Sequence, residues 1–290
     1  MTHTPLPPSL APVPSGRVAL VTGANVGIGR VTAIELARAG YQVVIAGRSL
    51  ERTQPVLDEI KRLVPGKPAV FVPLNLASLA SVRECAQQFI GMNLPLHLLV
   101  NNAGIAGMRG LTTDGFEMMF GVNHIGHFML TQLLLPLLQA SGPSRVVTVS
   151  SRAHKRTPGL DWDAVRQPTR SITGVREYAV SKLANLLFSA ELARRLQGTQ
   201  VSCYSLHPGV VDTEIWRALP SWTRPLLRWR GLLTPEEGAR TSLHCALHAP
   251  HSESGLYYSA CKPVRPSALG QDLDLARALW ERSEAWISGR

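Results

Sequence analysis

The sequence predicts an α/β fold: one doubly wound parallel sheet with helices on both faces. Short apolar runs rich in β-formers recur along the chain, stretches of helical periodicity separate them, and no proline-rich or charge-rich linker interrupts the chain after residue 16. The runs are nearly continuous in hydrophobicity rather than alternating, as expected of strands buried on both sides. A repeated β-α-β order with right-handed crossovers then closes a doubly wound sheet in a single domain over 17–290.

The elements follow in order. "RVALVTG" (17–23) is the first strand, and "VGIGRVTAIELARAG" after it starts a helix in which Ile28, Val31, Ile34 and Leu36 are available for packing. "YQVVIAG" (41–47) and "AVFVPL" (69–74) are the second and third strands. "LHLLVN" (96–101) is the fourth, "RVVTVS" (145–150) the fifth and "VSCYSL" (201–206) the sixth. Between the last two, Leu183, Leu186, Leu187 and Ala190 mark one stripe of a helix. Apolar segments such as "MLTQLLLPLLQA" fall short of the roughly 20 residues a membrane span needs, and Pro136 interrupts this one.

Composition narrows the function. Hydrophobic residues form 45% of the 290-residue chain and charged ones 17%, which suits a packed domain rather than disorder. The net charge of +10 is scattered instead of gathered into a stripe, so a solvated basic surface is expected and nucleic acid is not. Cys85, Cys203, Cys245 and Cys261 lie too far apart for a CxxC pair and are expected as reduced thiols in a reducing, cytoplasmic compartment. Residues 1–16 hold five prolines and no basic or sustained apolar stretch, so a disordered tail is expected rather than a signal peptide.

The glycines Gly23, Gly27 and Gly29 sit where the first strand meets the first helix. Unpaired N–H groups at a helix start form an anion site, which glycines let a pyrophosphate approach, the Rossmann-like arrangement. The spacing departs from G-x-G-x-x-G, and a plain tight turn is the competing explanation. An acid about 20 residues further on usually binds the ribose of NAD, while an arginine accommodates the phosphate of NADP. Here Arg48 stands nineteen residues after Gly29 with no acid beside it, which favours NADP(H) unless Arg48 merely faces solvent. Arg30 is a second cation available near that phosphate.

Tyr178 and Lys182 are four apart on a helix, so their side chains share a face. A neighbouring ammonium favours phenolate and makes tyrosine a usable acid/base; by spacing alone, such a pair equally well faces water. His124 with His127, and His244 with His248, have spacings compatible with zinc but no third ligand nearby in sequence, so no metal is expected. No G-x-S-x-G is present for a serine hydrolase.

"TGANVGIG", "NNAG" (101–104), "YAVSK" (178–182) and "HPGVVDT" (207–213), in that order, resemble the short-chain dehydrogenase/reductase family. "VNHIGHF", "VVTVSSRAH", "SKLANLLF", "ELARRLQGT", "TSLHCAL" and "GLYYSACK" are similar to its retinol dehydrogenase branch, which includes the WW-domain-containing oxidoreductase. The resemblance implies hydride transfer between NADP(H) and a lipophilic alcohol, aldehyde or ketone. It implies that Tyr178 moves the proton, that Lys182 assists it, that Ser151 binds the substrate oxygen, and that Asn123 holds a water linking Lys182 to solvent. Cofactor contacts are implied for Gly23, Asn25, Val26, Gly27, Ile28 and Gly29, for Arg48, and for Asn75 and Leu76 at the adenine. They are further implied for Asn101, Ala103 and Gly104 along the channel, for Tyr178 and Lys182, and for Pro208, Gly209, Val211 and Thr213. The family usually has Asp where Asn75 stands, which implies weaker discrimination at that contact. The 27 residues from Ser151 to Tyr178 exceed the separation in many members, and the extra segment, roughly 155–174, is expected over or beside the site.

The substrate lid is expected around 212–233, where Trp216, Trp222 and Trp229 alternate with Arg217, Arg224, Arg228 and Arg230. That composition also suits a membrane surface, so peripheral membrane contact stays open, as does a homodimer. Two rival functions remain: a regulatory protein that binds NADP(H) with little turnover, and an interfacial lipid-binding protein.

Overall fold

The computed structural model describes residues 16–210 and 233–289. The proline-rich tail, apart from Gly16, and nearly all of the expected lid lie outside the described residues, as do Val211 and Thr213.

All six expected strands form, as β1 (Val18–Thr22), β2 (Gln42–Gly47), β3 (Val70–Pro73), β4 (Leu98–Asn101), β5 (Ser144–Val149) and β6 (Val201–His207). Two more extend the sheet, β7 (Tyr257–Ser259) and β8 (Lys262–Pro263). The order is β3-β2-β1-β4-β5-β6-β7-β8; the first seven strands run parallel and β8 is antiparallel. Every residue of β1, β4 and β6 is buried, which explains their unbroken hydrophobicity.

The helices are α1 (Gly27–Arg38), α2 (Leu50–Leu63), α3 (Leu79–Gly91), the single turn α4 (Met118–Phe120), α5 (Gly126–Ser141), α6 (Val175–Arg195), α7 (Pro235–Leu247) and α8 (Leu273–Ser288). Local chemistry starts many of them. The hydroxyls of Ser49 and Ser78 accept from Arg52 N and Ser81 N at the starts of α2 and α3. Thr234 and Glu237 form a reciprocal capping box ahead of α7, with Pro235 at its first position. Asp272 caps α8, and Gly289 closes it in the left-handed conformation. Helix α5 runs through Pro136, because burial of Leu134 and Leu138 outweighs the one backbone hydrogen bond that proline removes.

Two cores result. One face of the sheet packs α1, α2 and α7 through residues such as Val31, Ile34, Leu36, Val56 and Leu243. The other packs α3, α5, α6 and α8, with Phe128, Phe188 and Trp280 in mutual ring contact. No described helix is long and apolar enough to cross a membrane.

Candidate active site

The strand order reverses between β1, which leads to β2, and β4, and in such sheets ligands bind at this switch beyond the carboxyl ends of the strands. The glycine loop lies there. Gly23 and Gly27 take left-handed backbones (φ +67° and +59°), which glycine adopts without strain. A Cβ on Gly29 would stand 2.4 Å from Asn102 Nδ2 and 2.5 Å from the Gly23 carbonyl, and one on Gly23 would stand 2.8 Å from Ala103 Cβ. Gly23 and Gly29 are therefore glycine because the chain itself, not only a ligand, occupies the space beside them. Asn102 is the clamp: its amide donates to the carbonyls of Thr22 (2.8 Å) and Gly23 (3.2 Å). The Thr22 hydroxyl accepts from the N–H groups of Asn102 and Ala103, both at 3.0 Å.

Helix α1 begins with Val26 as cap, without a side-chain hydrogen bond and without an acid in its first turn. Its N–H groups and positive end are left for an anion. Asn25 and Ile28 are half-buried and Val26 is exposed at this opening. Arg48 emerges at the end of β2, beside the loop because Gly23 N bonds Ala46 O at 2.9 Å. Its guanidinium is exposed and has no partner among the described residues. Arg30 is not available in the same way: it is paired with Glu59 on α2. This combination of open helix start, glycine loop and unpaired arginine fits a phosphorylated dinucleotide.

The remaining expected cofactor positions divide. Asn75 is exposed after β3, with Oδ1 accepting from Ala77 N at 3.2 Å, and Leu76 is buried against Gly126. The Asn101 side chain donates to Thr131 Oγ1 at 3.0 Å, while the neighbouring Asn102 makes the loop contacts. Ala103 packs beneath Gly23, and a Cβ on Gly104 would stand 3.4 Å from both Lys182 Nζ and Asn123 Oδ1. Pro208 and Gly209 follow β6, with Gly209 (φ +98°) packed against Leu233.

Ser151, Tyr178 and Lys182 come together at the ends of β5 and α6. Ser151 is extended and its hydroxyl, which accepts from Ala153 N, faces the Tyr178 phenol. Lys182 Nζ lies 5.6 Å from the Tyr178 ring centre and donates to the Val149 carbonyl at 2.9 Å. Ser150 holds the helix by donating to the Lys182 carbonyl at 2.6 Å. Asn123 sits in a π-helical turn (Gly121–Ile125), and its amide is fully engaged: Oδ1 accepts from Ile105 N, while Nδ2 donates to Ile105 O and Ser181 Oγ. It fixes the loop that carries Gly104 rather than presenting a free amide.

The electrostatics differ from the expectation that the ammonium governs the phenol. Burial pushes Tyr178 up to about 12, with the Ser151 hydroxyl acting the other way, and burial brings Lys182 down to about 7. Loss of solvation is the leading cause for both groups.

Several residues here escaped the sequence. Arg152 Nε donates to His207 Nε2 at 2.9 Å, and His154 bridges Ser151 O and Ser267 N while meeting Tyr257 edge-on at 5.1 Å. The buried Tyr257 hydroxyl and His207 Nδ1 have no partner among the described residues. The extra segment divides at this point. Arg152–Arg156 adjoins the Ser151 end, whereas 158–171 lies against the side of α6 that carries Arg176, Glu177 and Val180. The histidine pairs are placed as packing groups. His127 bonds Thr22 Oγ1 and His124 bonds Ser283 Oγ, while the His244 and His248 rings lie 6.2 Å apart.

A switch-point glycine loop and a Ser-Tyr-Lys cluster at the carboxyl end of β5, with Lys182 buried and Ser151 and Tyr178 half-buried, define a dinucleotide-dependent oxidoreductase fold. The family model described as short chain dehydrogenase matches residues 17–162. Dehydrogenase/reductase SDR family member 13 of Bos taurus is 46% identical over 92% of this chain and 72% of its own length. Retinol dehydrogenase 11 of Mus musculus is 43% identical (92% and 85%), and polyprenol dehydrogenase of Mus musculus 46% (94% and 84%). A crystal structure of a protein from Mycobacterium Paratuberculosis superposes with TM-score 0.78 at 33% identity, covering 96% of each chain. A short chain dehydrogenase from Escherichia coli CFT073, solved with NADPH, does so with TM-score 0.67 at 27% identity, covering 87% and 98%. The chain belongs to the short chain dehydrogenase family, in the retinol dehydrogenase-like branch, and is an oxidoreductase.

Proposed function

We propose that this protein is an NADP(H)-dependent oxidoreductase acting on a lipophilic alcohol or carbonyl of the retinol/retinal, aldehyde or ketone type. The observation that carries the reading is the convergence of Ser151, Tyr178 and Lys182 beside Gly104 and the glycine loop. The bound dinucleotide would supply or accept the hydride. Ser151 orients the substrate oxygen through its hydroxyl, and Tyr178 gives that oxygen a proton in reduction or takes it in oxidation. Lys182, anchored on Val149, stands behind the phenol and steadies whichever proton state it holds. Arg48 is the preferred partner for a 2′-phosphate, which supports NADP(H) over NAD(H). The names of the retinol and polyprenol dehydrogenases support an apolar substrate. The four free thiols agree with work in a reducing compartment such as the cytoplasm.

The test is a spectrophotometric panel of retinal, alkanals, steroids and quinones with NADPH, repeated with NADH. Turnover of an apolar carbonyl, faster with NADPH, is expected. Tight NADPH binding without turnover of any carbonyl would replace this reading with that of a regulatory NADP(H)-binding protein.

A further inference from the structure

On the far side of α6 from Tyr178, the segment 158–171 encloses a cavity of about 510 Å³. That volume is in the range of small-molecule sites, roughly 300–1,000 Å³. At 100° per residue, Val180 points about 200° away from Tyr178 around the helix, so this space is separate from the proposed reaction centre. Its apolar lining is the half-buried Leu160 and Val180, behind which Phe120 and Val165 are buried in the core.

The polar groups at this cavity are unevenly satisfied. Glu117 accepts from Met119 N, Phe120 N and the Thr169 hydroxyl. Asp161 accepts from the N–H groups of Asp163 and Ala164, and Glu177 from those of Arg170 and Ser171 and from the Ser171 hydroxyl. All three carboxylates are thus held by this chain's own donors. The guanidiniums of Arg170 and Arg176 also line the cavity, are exposed, and have no hydrogen-bond or ion-pair partner among the described residues.

We propose that this cavity is a second, non-catalytic binding site for an anionic amphiphile, a long-chain carboxylate. Its chain lies on Leu160 and Val180, and its head is paired with Arg170 and Arg176. Two guanidiniums over an apolar lining match this ligand class: planar forks bind a carboxylate through paired N–H groups, and the lining takes the hydrocarbon. A neutral chain leaves both forks unpaired, and a small anion leaves the lining uncovered. The site does not depend on the reaction proposed above, and no turnover is needed to detect it.

The experiment titrates a dansyl-labelled fatty acid into the full chain, in the absence and presence of saturating NADPH and retinal, and follows dansyl emission. The probe is expected to bind in both conditions, while the matching dansyl-labelled alcohol binds at least tenfold more weakly. The R170A/R176A double variant is expected to raise Kd at least tenfold, and Tyr178→Phe to leave it within twofold. Should the double variant not fold, Ala164→Phe, which fills the cavity and keeps both arginines, must weaken the probe to the same degree. Displacement by NADPH and retinal, or indifference to both variants, would put the probe in the reaction cleft and overturn the proposal. Absence of binding overturns it as well.

Discussion

Burial decides which proton state of Tyr178 is common. With the phenol pushed up to about 12 and Lys182 brought down to about 7, the tyrosine carries its proton through the neutral range. It is then already the acid that carbonyl reduction requires, whereas alcohol oxidation needs the rare phenolate, whose population grows tenfold per pH unit. Tyr178 is expected to add no inflection to kcat/KM for reduction with NADPH between roughly pH 6 and 8, so that any inflection there reports Lys182 near 7, while oxidation climbs across the same range. Stopped-flow or steady-state profiles check this, and an oxidation rate independent of pH would contradict it. Tyr178→Phe removes the proton and is expected to lower turnover by roughly 10²–10⁴-fold. NADPH affinity, read by protein fluorescence quenching, should change little, because the phenol does not build the glycine loop. Ser151, Tyr178 and Lys182 were singled out through the resemblance of "VVTVSSRAH" and "YAVSK" to the family, because the one-turn spacing of Tyr178 and Lys182 by itself also suits two water-facing side chains. Thr22 and Asn102 were not, since their bonds join residues about 80 apart and leave no local pattern.

The loop between β1 and α1 behaves as part of the packing, and that separates two accounts of its glycines. If Gly29 served only to admit a phosphate, a methyl there would weaken NADPH and leave the apo-protein intact. The structure instead puts the Asn102 amide and the Gly23 carbonyl within 2.5 Å of that methyl. Gly29→Ala is therefore expected to destabilise the protein without any cofactor, by about 2–3 kcal/mol, the scale of overpacking. Urea unfolding of the apo-protein measures it, and an unchanged midpoint would return Gly29 to a purely ligand-facing role. At the start of α7, Thr234→Ala removes half of a reciprocal cap and is expected to cost about 1 kcal/mol by the same assay. Six strands were visible in the sequence because each is a nearly continuous apolar run, which burial on both faces explains for β1, β4 and β6, whereas in β3 at the sheet edge only Val72 is buried. β7 and β8 were not visible, being three and two residues long and carrying tyrosine, serine and lysine at the sheet edge. The course of α5 through Pro136 was not legible either: periodicity reports which face is buried, but not that tertiary packing holds a helix across a lost hydrogen bond.

Over the whole molecule, the buried histidines set how the fold responds to acid. Burial pushes His124 down to about 3 and His127 down to about 4; His207, wedged by Arg152, also falls to about 4. In the folded protein these rings stay neutral, tying Ser283, Thr22 and Arg152 into the core. In the unfolded chain they take up protons near the ordinary histidine value of about 6.5. Between that value and the folded ones, the unfolded state binds more protons, so stability rises with pH and is lost as pH falls. At pH 5 the gap is about 1.5 units, or roughly 2 kcal/mol for each fully buried ring. Glu177 and Glu191, held below the usual carboxylate value by their hydrogen bonds, act in the same direction at lower pH. Glu117, raised by burial, acts oppositely and offsets only part of the loss. Thermal melts from pH 7.5 down to 5 should therefore show a steep fall in Tm beginning near 6.5, well above the range where carboxylates titrate. His124→Phe, placed among Phe120, Phe128 and Phe188, removes one of the most strongly shifted rings and should make that fall shallower. If the variant kept the full slope, or if the parent melted at one temperature throughout the range, the neutral-histidine core would not be what limits the protein in acid.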